Sequence, residues 1–420
     1  MAISKFLAWW GNKQNSRQIA TIFFVTALCI RATALFIVPD AHVSSNAKES
    51  ILAGAELIQQ GEFINNPEYP MLVPPLTAIF VAAIHATLGE GLLQIKLVQI
   101  VLDATLVVLI FYLGARLFGY ATASLGTAII LVYPFSVFLP LYIGTELLFG
   151  FLLAVSILSA IKGLSDDKTN ILLLSGMALG LATLTRGTTL FLPIFLVGFF
   201  VWFYRGTHNY RPITKSAVFL LGYVIILSPW VVRNFVVHDA FIPASTSSGP
   251  LLHGSSEDFW LIADRERELP KYFDYLRKEK GFPSYKDPSW VEKDQFYRRA
   301  AIEKYKERWD SDPMSFIPFF FKKFTRLWYA TESGSNTKLI LFINLPIYLF
   351  ALFGLWRLLC GGNRLAVIIV VLLGYFVAIH VAVFAYFRYL TPIMPYIILL
   401  AAYGVMHSIR HPWIRKLPLR

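Results

Sequence analysis

Long apolar runs alternate with short polar joints along most of the chain. The runs at 19–38, 97–114, 146–161, 215–232 and 365–385 are built almost wholly of apolar residues. A helix needs about 20 such residues to cross a bilayer. The same pattern, followed from end to end, predicts helices at 18–38, 92–115, 120–137, 143–161, 170–185, 187–204, 215–232, 337–356, 364–384 and 390–408. The expected fold class is an all-α polytopic membrane protein with about ten transmembrane helices.

Two longer intervals interrupt the alternation. The first, 39–91, contains Asp40, Glu49, Glu56, Glu62, Glu68 and Glu90 against a single lysine. Its apolar stretch 71–88 reads as a membrane-surface or re-entrant helix. One more crossing there would move the basic tail to the other face. The second interval is 233–335. Asp287-Pro288 is a helix start leading into a charged helix near 289–309, and Asp312-Pro313 is a second start. A small helical outer subdomain is expected. The chain then divides into a module at 1–232, an outer segment at 233–335 and a C-terminal module at 336–420.

Charge orients this plan. With the N-terminus in the cytoplasm, the cytoplasmic joints carry Arg116, then Lys162 and Lys168, then Arg205, Arg211 and Lys215, then Arg357 and Arg364. The tail adds Arg410, Arg415, Lys416 and Arg420. Short loops rich in Lys and Arg mark the cytoplasmic side. The formal net charge of +12 is explained in this way, without nucleic acid as a partner. Lys5, Lys13 and Arg17 precede the first run with no small-residue cleavage site, so it reads as a retained helix. Composition agrees: 56% of residues are hydrophobic and 15% charged, where soluble domains have about 25% charged. Cys29 and Cys360 lie in an apolar run and a basic joint, which suits neither a disulfide nor a metal site. The eight histidines show no zinc spacing, and no phosphate-binding glycine loop occurs in strand context. No cofactor is expected, and the sequence leaves metal dependence open.

Some charges lie where the cytoplasmic rule does not put them. Arg186, Arg233 and Arg388 fall at the outer ends of predicted helices, Lys96 at the outer end of the second, and Arg31 in the outer half of the first. A charge at membrane depth is costly and usually has a partner or a task. Together these cations suggest an outward-facing site for an anion. Phosphate suits it, because arginine offers a planar fork of donors. Acids stand at the same level: Asp40, Glu49, Glu146 and, inside the second helix, Asp103. Asp40 or Glu49 is a candidate general base. Glu146 and Asp103 are equally open to a structural ion pair or an interhelical hydrogen bond.

Five stretches in order resemble the GT-C superfamily of membrane glycosyltransferases. They are AGAELIQQGEF with PPLTAIFVAAIHATLG, GARLFG, YPFSVFLPLYIGTELLFGFL, SPWVVRNFVVHDAFIPASTSSG, and FRYLTPIMPYIILLAAYGV. The resemblance is greatest to the bacterial branch of glycosyltransferase family 39, related to protein mannosyltransferases and the lipid A aminoarabinose transferase. It implies a GT-C-like fold with outer-face amphipathic helices, and an enzyme of the bacterial inner membrane facing the periplasm. Such an enzyme would move a sugar from a polyprenyl-phosphate donor to a glycan, glycolipid or protein acceptor, with inversion at the anomeric carbon. An acid of the first outer loop, here Asp40 or Glu49, would serve as base. Arg186, Arg233, Arg388 and Lys96 would hold the donor phosphate, with Glu146, Arg31, Asn234 and Tyr389 in support. The sequence departs from the family pattern at Asn46, where relatives carry an acid, and at Val73, where some carry a phosphate-binding lysine. A flippase for lipid-linked sugars and a catalytically inactive scaffold are the alternative readings.

Overall fold

The computed structural model describes residues 9–38, 43, 45–60, 74–206, 211–246, 248–256, 290–331, 334 and 336–408. These fold into helices and connecting turns. In the first module they are α1 (Ser16–Ile37), α2 (Ser45–Gln60), α3 (Leu76–Leu88), α4 (Leu92–Phe118), α5 (Tyr120–Val132), α6 (Pro134–Phe138), α7 (Glu146–Ser165), α8 (Thr169–Thr185), α9 (Leu192–Phe203) and α10 (Arg211–His238). There follow α11 (Ser248–Ser256), α12 (Trp290–Ser311), α13 (Phe316–Leu327), α14 (Thr337–Gly361), α15 (Val367–Ala382) and α16 (Met394–Ser408).

Helix is found at each of the ten positions expected from the hydropathy pattern, in one case broken in two, but only six or seven of them are long and apolar enough to cross a bilayer. The chain is a multi-pass membrane protein. By length and apolarity, α1, α4, α7, α10, α14 and the stretch Phe387–Ser408 can each cross a bilayer. The pair α5–α6 makes a seventh if its 63° bend is taken as one broken span. The apolar helices α8, α9 and α15 have 17, 12 and 16 residues, short of a full crossing. Helix α3 has 13 residues, which also fits the re-entrant or surface reading of 71–88.

Several boundaries differ from the sequence expectation by a few residues, and two of the differences have a plain cause. The helix expected over 120–137 breaks between Val132 and Pro134, since proline has no N–H to continue the ladder. The helix expected to end before Arg233 runs on to His238, with Pro229 inside it. Its far end is held by a returning strand of chain: Trp230 Nε1 donates to the Ala244 carbonyl at 3.0 Å, and Asn234 Nδ2 to that of Ile242 at 2.8 Å. The expected start at Asp312 is found, its Oδ1 accepting from the Met314 amide at 3.0 Å. The charged helix beginning near 289 is α12.

Small residues set the helix spacing, as packing between membrane helices requires. A Cβ added to Gly176 of α8 would collide with the Phe219 carbonyl of α10, and one on Gly222 with the Leu173 carbonyl. The two backbones therefore lie in direct contact. Between α7 and α8, Ser156 and Ser175 each donate to the other's carbonyl, at 2.9 and 2.8 Å. At the end of the bundle where α7 turns into α8, Arg116 pairs with Asp166 at 2.7 Å and Lys215 with Asp167 at 2.9 Å. The hydrogen bonds from Arg116 and Lys215 hold these two exposed carboxyls below the usual carboxylate range.

Helix α13 locks the segment before it onto the bundle. Its Lys323 is buried, with Nζ donating to Ser255 Oγ at 2.5 Å and to the Ala382 carbonyl at 3.4 Å. The Phe319 ring lies 5.0 Å from the same nitrogen. Burial pushes the Lys323 ammonium down to about 7.

Candidate functional site

The site forms at the opposite end of the bundle, where three separate stretches meet. Gly144 and Thr145 precede α7, and Glu146 opens it. Arg186 stands in extended conformation just beyond α8, where its chain direction changes. Arg388 belongs to the 3-10 turn Phe387–Ile393 that leads into α16. Arg186 Nη1 lies 2.9 Å from Glu146 Oε1, and Arg388 Nε donates to the same oxygen at 2.7 Å. Glu146 is 2% exposed. Glycine at 144 leaves room for this carboxylate, because a Cβ there would collide with Oε2.

Aromatic rings fix the two arginines. The Arg186 guanidinium sits 5.4 Å from the Tyr389 ring and 5.8 Å from Phe149. Arg388 sits 5.4 Å from the Tyr142 ring. His380 stacks on the Tyr389 ring with centroids 5.3 Å apart and 18° between planes. Its Nδ1 lies 2.7 Å from the Phe376 carbonyl, which can only accept, so Nδ1 carries a proton there. Two guanidiniums against one carboxylate leave a net charge of +1, in a partly dry site where charge is weakly screened. Arg186 and Arg388 keep side-chain exposures of 13% and 32%, so both remain within reach of an incoming anion.

The structure brings together Glu146, Arg186, Arg388 and Tyr389 of the residues named from sequence. Arg31 belongs to a different grouping. Its Nε donates to Asp103 Oδ2 at 2.7 Å and its Nη1 to the Leu131 carbonyl at 2.9 Å. Leu131 lies in the last turn of α5, whose carbonyls lose their helical donors at the break. Arg31 thus caps a broken helix inside the bundle and neutralises Asp103, the ion pair that a lone buried acid calls for.

Arg233 lies in the last turns of α10, 5.2 Å from the Trp230 ring, with Asn234 Oδ1 and His238 Nε2 each 3.2 Å from its Nη1. Asn234 spends its amide on the Ile242 carbonyl. Lys96 is buried near the start of α4, at 2% exposure. Asp40 lies outside the described residues. The backbone of Glu49 lies in α2, and its side chain is outside them too. The first outer loop nevertheless reaches the site: Val43 forms a parallel bridge with Ile143, three residues before Glu146. Ile51 of α2 packs against the cluster of Val81, Ile84, Ile95 and Ile143. Among the described residues, no three His, Cys, Asp or Glu side chains gather as metal ligands would.

Sequence reasoning missed Tyr142, Phe149 and His380. The first two flank Glu146 within YIGTELLF, but an aromatic beside an acid in an apolar run gives no distinct signal. His380 is a lone histidine in FVAIHVA, a pattern shared by many packed core residues.

Comparison with known proteins bears on the fold. Residues 72–232 match the model of a family described as dolichyl-phosphate-mannose-protein mannosyltransferase. That range contains Glu146 and Arg186, while Arg388 lies beyond it. No curated protein sequence matches the chain. Among solved structures, the apo oligosaccharyltransferase of Archaeoglobus fulgidus is similar at TM-score 0.59 and 11% identity, over 95% of this chain and 51% of that one. The archaeal oligosaccharyltransferase AglB from the same organism, in complex with an inhibitory peptide and a dolichol-phosphate, gives 0.57 and 12%, over 95% and 51%. ArnT from Cupriavidus metallidurans bound to undecaprenyl phosphate gives 0.43 and 13%, over 92% and 77%. The chain spans about half the length of the archaeal enzymes it matches. The chain shares its fold with the archaeal oligosaccharyltransferase.

Proposed function

We propose that the chain transfers a sugar from a polyprenyl-phosphate donor to a glycan, glycolipid or protein acceptor on the outer face of a bacterial inner membrane. The observation that supports this most directly is the grip of Arg186 and Arg388 on one buried carboxylate oxygen. The carboxylate gathers both guanidiniums at one place, where their excess positive charge can meet an anion. A lipid phosphate leaving the anomeric carbon needs charge stabilisation more than a proton. Arginine forks supply that charge. The same fold holds a dolichol-phosphate in the archaeal AglB complex.

In this reading Arg186 and Arg388 hold the phosphate, Glu146 orients them, and Tyr389 and Tyr142 hold their planes. Asp40 or Glu49 deprotonates the acceptor hydroxyl. The contact of Val43 with Ile143 supports a first outer loop lying over the site. The acceptor oxygen attacks the anomeric carbon from the side opposite the phosphate, which inverts its configuration. Arg233 and Lys96 remain candidates for lipid contacts further along the donor.

The test is transfer in vitro. Purified protein is mixed with a panel of polyprenyl-phosphate sugars and an extract of envelope glycolipids. Wild type is compared with Asp40→Asn, Glu49→Gln and Arg388→Ala. Loss in one acid variant and in Arg388→Ala is the expected result. No transfer from any donor, by folded protein that still binds the lipid, would sink the enzyme reading in favour of a flippase or scaffold.

A further inference from the structure

Arg186 stands in extended backbone between α8 and the 3-10 turn Gly187–Thr189, outside any helix. Among the described residues its polar side-chain contacts both go through Nη1, to Glu146 Oε1 at 2.9 Å and to Thr145 Oγ1 at 3.4 Å. Contacts at one nitrogen leave a planar group able to swing about that point. What meets the face of the guanidinium then decides its direction.

Helix α15 carries no Asp, Glu, Lys or Arg, yet it reaches Arg186 by three routes. Its Tyr375 Oη donates to the Thr188 carbonyl at 2.5 Å, which holds the backbone two residues from Arg186. Its Phe376 ring lies 5.9 Å from the Phe149 ring, which in turn lies 5.8 Å from the guanidinium. Its His380 stacks on Tyr389, which lies 5.4 Å from the guanidinium. Phe376 and His380, one turn apart, also stack, with centroids 5.7 Å apart and 24° between planes. The contacts therefore form a closed circuit from the guanidinium through Tyr389, His380, Phe376 and Phe149 back to the guanidinium. His380 is buried, and its Nδ1 ties the imidazole to the α15 backbone at the Phe376 carbonyl. The end of α15 is itself pinned, since Ser255 Oγ donates to the Ala382 carbonyl at 2.8 Å.

We propose that His380 is a positioning residue for Arg186. Anchored to the α15 backbone, the imidazole sets the plane of Tyr389, and Tyr389 sets the plane of the guanidinium at the candidate anion site. The role needs a flat ring at position 380 and no charge there. Its consequence for ligand binding rests on the lipid-phosphate reading above. The placement of Arg186 does not.

The test uses the full chain in lipid nanodiscs. Wild type is compared with His380→Leu, which fills similar space without a flat face, and with His380→Phe, which restores the face. Leu372→Ala, at a fully buried position of the same helix, controls for a general loosening of α15. Electron cryomicroscopy locates the Arg186 side chain, and farnesyl phosphate binding is measured on each protein. In His380→Leu the guanidinium is expected to leave its wild-type position, and farnesyl phosphate to bind about five-fold more weakly, the scale of one cation–ring contact. His380→Phe and Leu372→Ala are expected to keep both the position and the affinity. An Arg186 side chain unmoved in His380→Leu overturns the proposal. So does an equal displacement in His380→Phe or in Leu372→Ala. Should His380→Leu not fold, Phe376→Leu, which removes the ring that His380 and Phe149 share, is read in its place. Wild type failing to bind farnesyl phosphate would overturn the lipid-phosphate reading, while the position of Arg186 still decides this one.

Discussion

Arg31 and Asp103 share a 2.7 Å hydrogen bond at a depth where their side chains are 0% and 4% exposed. Removing one partner leaves an uncompensated charge, which costs about 3–5 kcal/mol in buried pairs. Asp103→Ala should lower thermal stability in detergent by that order. The double variant Arg31→Met, Asp103→Leu should recover most of the loss, less the cap on Leu131. Equal stability of Asp103→Ala and wild type would contradict the pairing.

Arg388 uses Nε on Glu146, so its role depends on a fork and not only on charge. Arg388→Ala should reduce transfer about 100-fold, in the range seen when an anion-stabilising donor is removed. Arg388→Lys should recover little of it. A full rescue by lysine would show that charge alone suffices.

Arg233 gives a contrast within one assay, since its partners are Trp230, Asn234 and His238. Arg233→Ala should cost less than about ten-fold in transfer. A loss as large as that of Arg388→Ala would return Arg233 to the phosphate site.

Lys323 predicts a pH dependence with a definite sign. Its folded value, about 7, lies below the ordinary 10.5 of an exposed lysine. Between those values the unfolded chain binds the proton and the folded protein does not, so stability rises with pH across that window. Below about 7 both states are protonated and the gain is absent. Lys323→Met should flatten the rise. Unfolding followed from pH 6.5 to 10 in both proteins measures it, and an unchanged slope would refute the assignment to Lys323.

Gly176 and Gly222 lie where α8 and α10 touch through backbone. Replacing either with leucine should destabilise by about 1–3 kcal/mol or more, as overpacking does. Melting temperatures in detergent test this, with Gly198, which has open space around it, as the control position.

The helices were legible because a bilayer demands long apolar runs, which the chain shows openly. Their ends were less so. Pro134 breaks its helix while Pro229 does not, and the difference depends on which neighbours take up the freed groups. Arg31 supplies one such neighbour to Leu131, from a hundred residues away. At the site, Arg186, Arg388 and Glu146 stood out because charges in apolar surroundings are conspicuous. Which cation belongs to which acid was not readable, since all three ion pairs join separate segments. Lys323 was overlooked within a run of basic and aromatic residues, where only the packing against Ser255 and Ala382 sets it apart from Lys322.

The distance of 242 residues between Glu146 and Arg388 also has a history in time. Ribosomes add about 5–20 residues per second, so Glu146 enters the membrane roughly 12–50 seconds before Arg388 has been made. Arg186 follows Glu146 after only forty residues and binds the same oxygen. It can act as an interim escort, keeping the acid neutralised until the last helices insert. A chain lacking Arg186 would carry a bare carboxylate through that wait, exposed to the machinery that removes misassembled membrane proteins. Part of the cost of losing Arg186 should therefore appear as reduced yield during synthesis, before any finished protein is assayed.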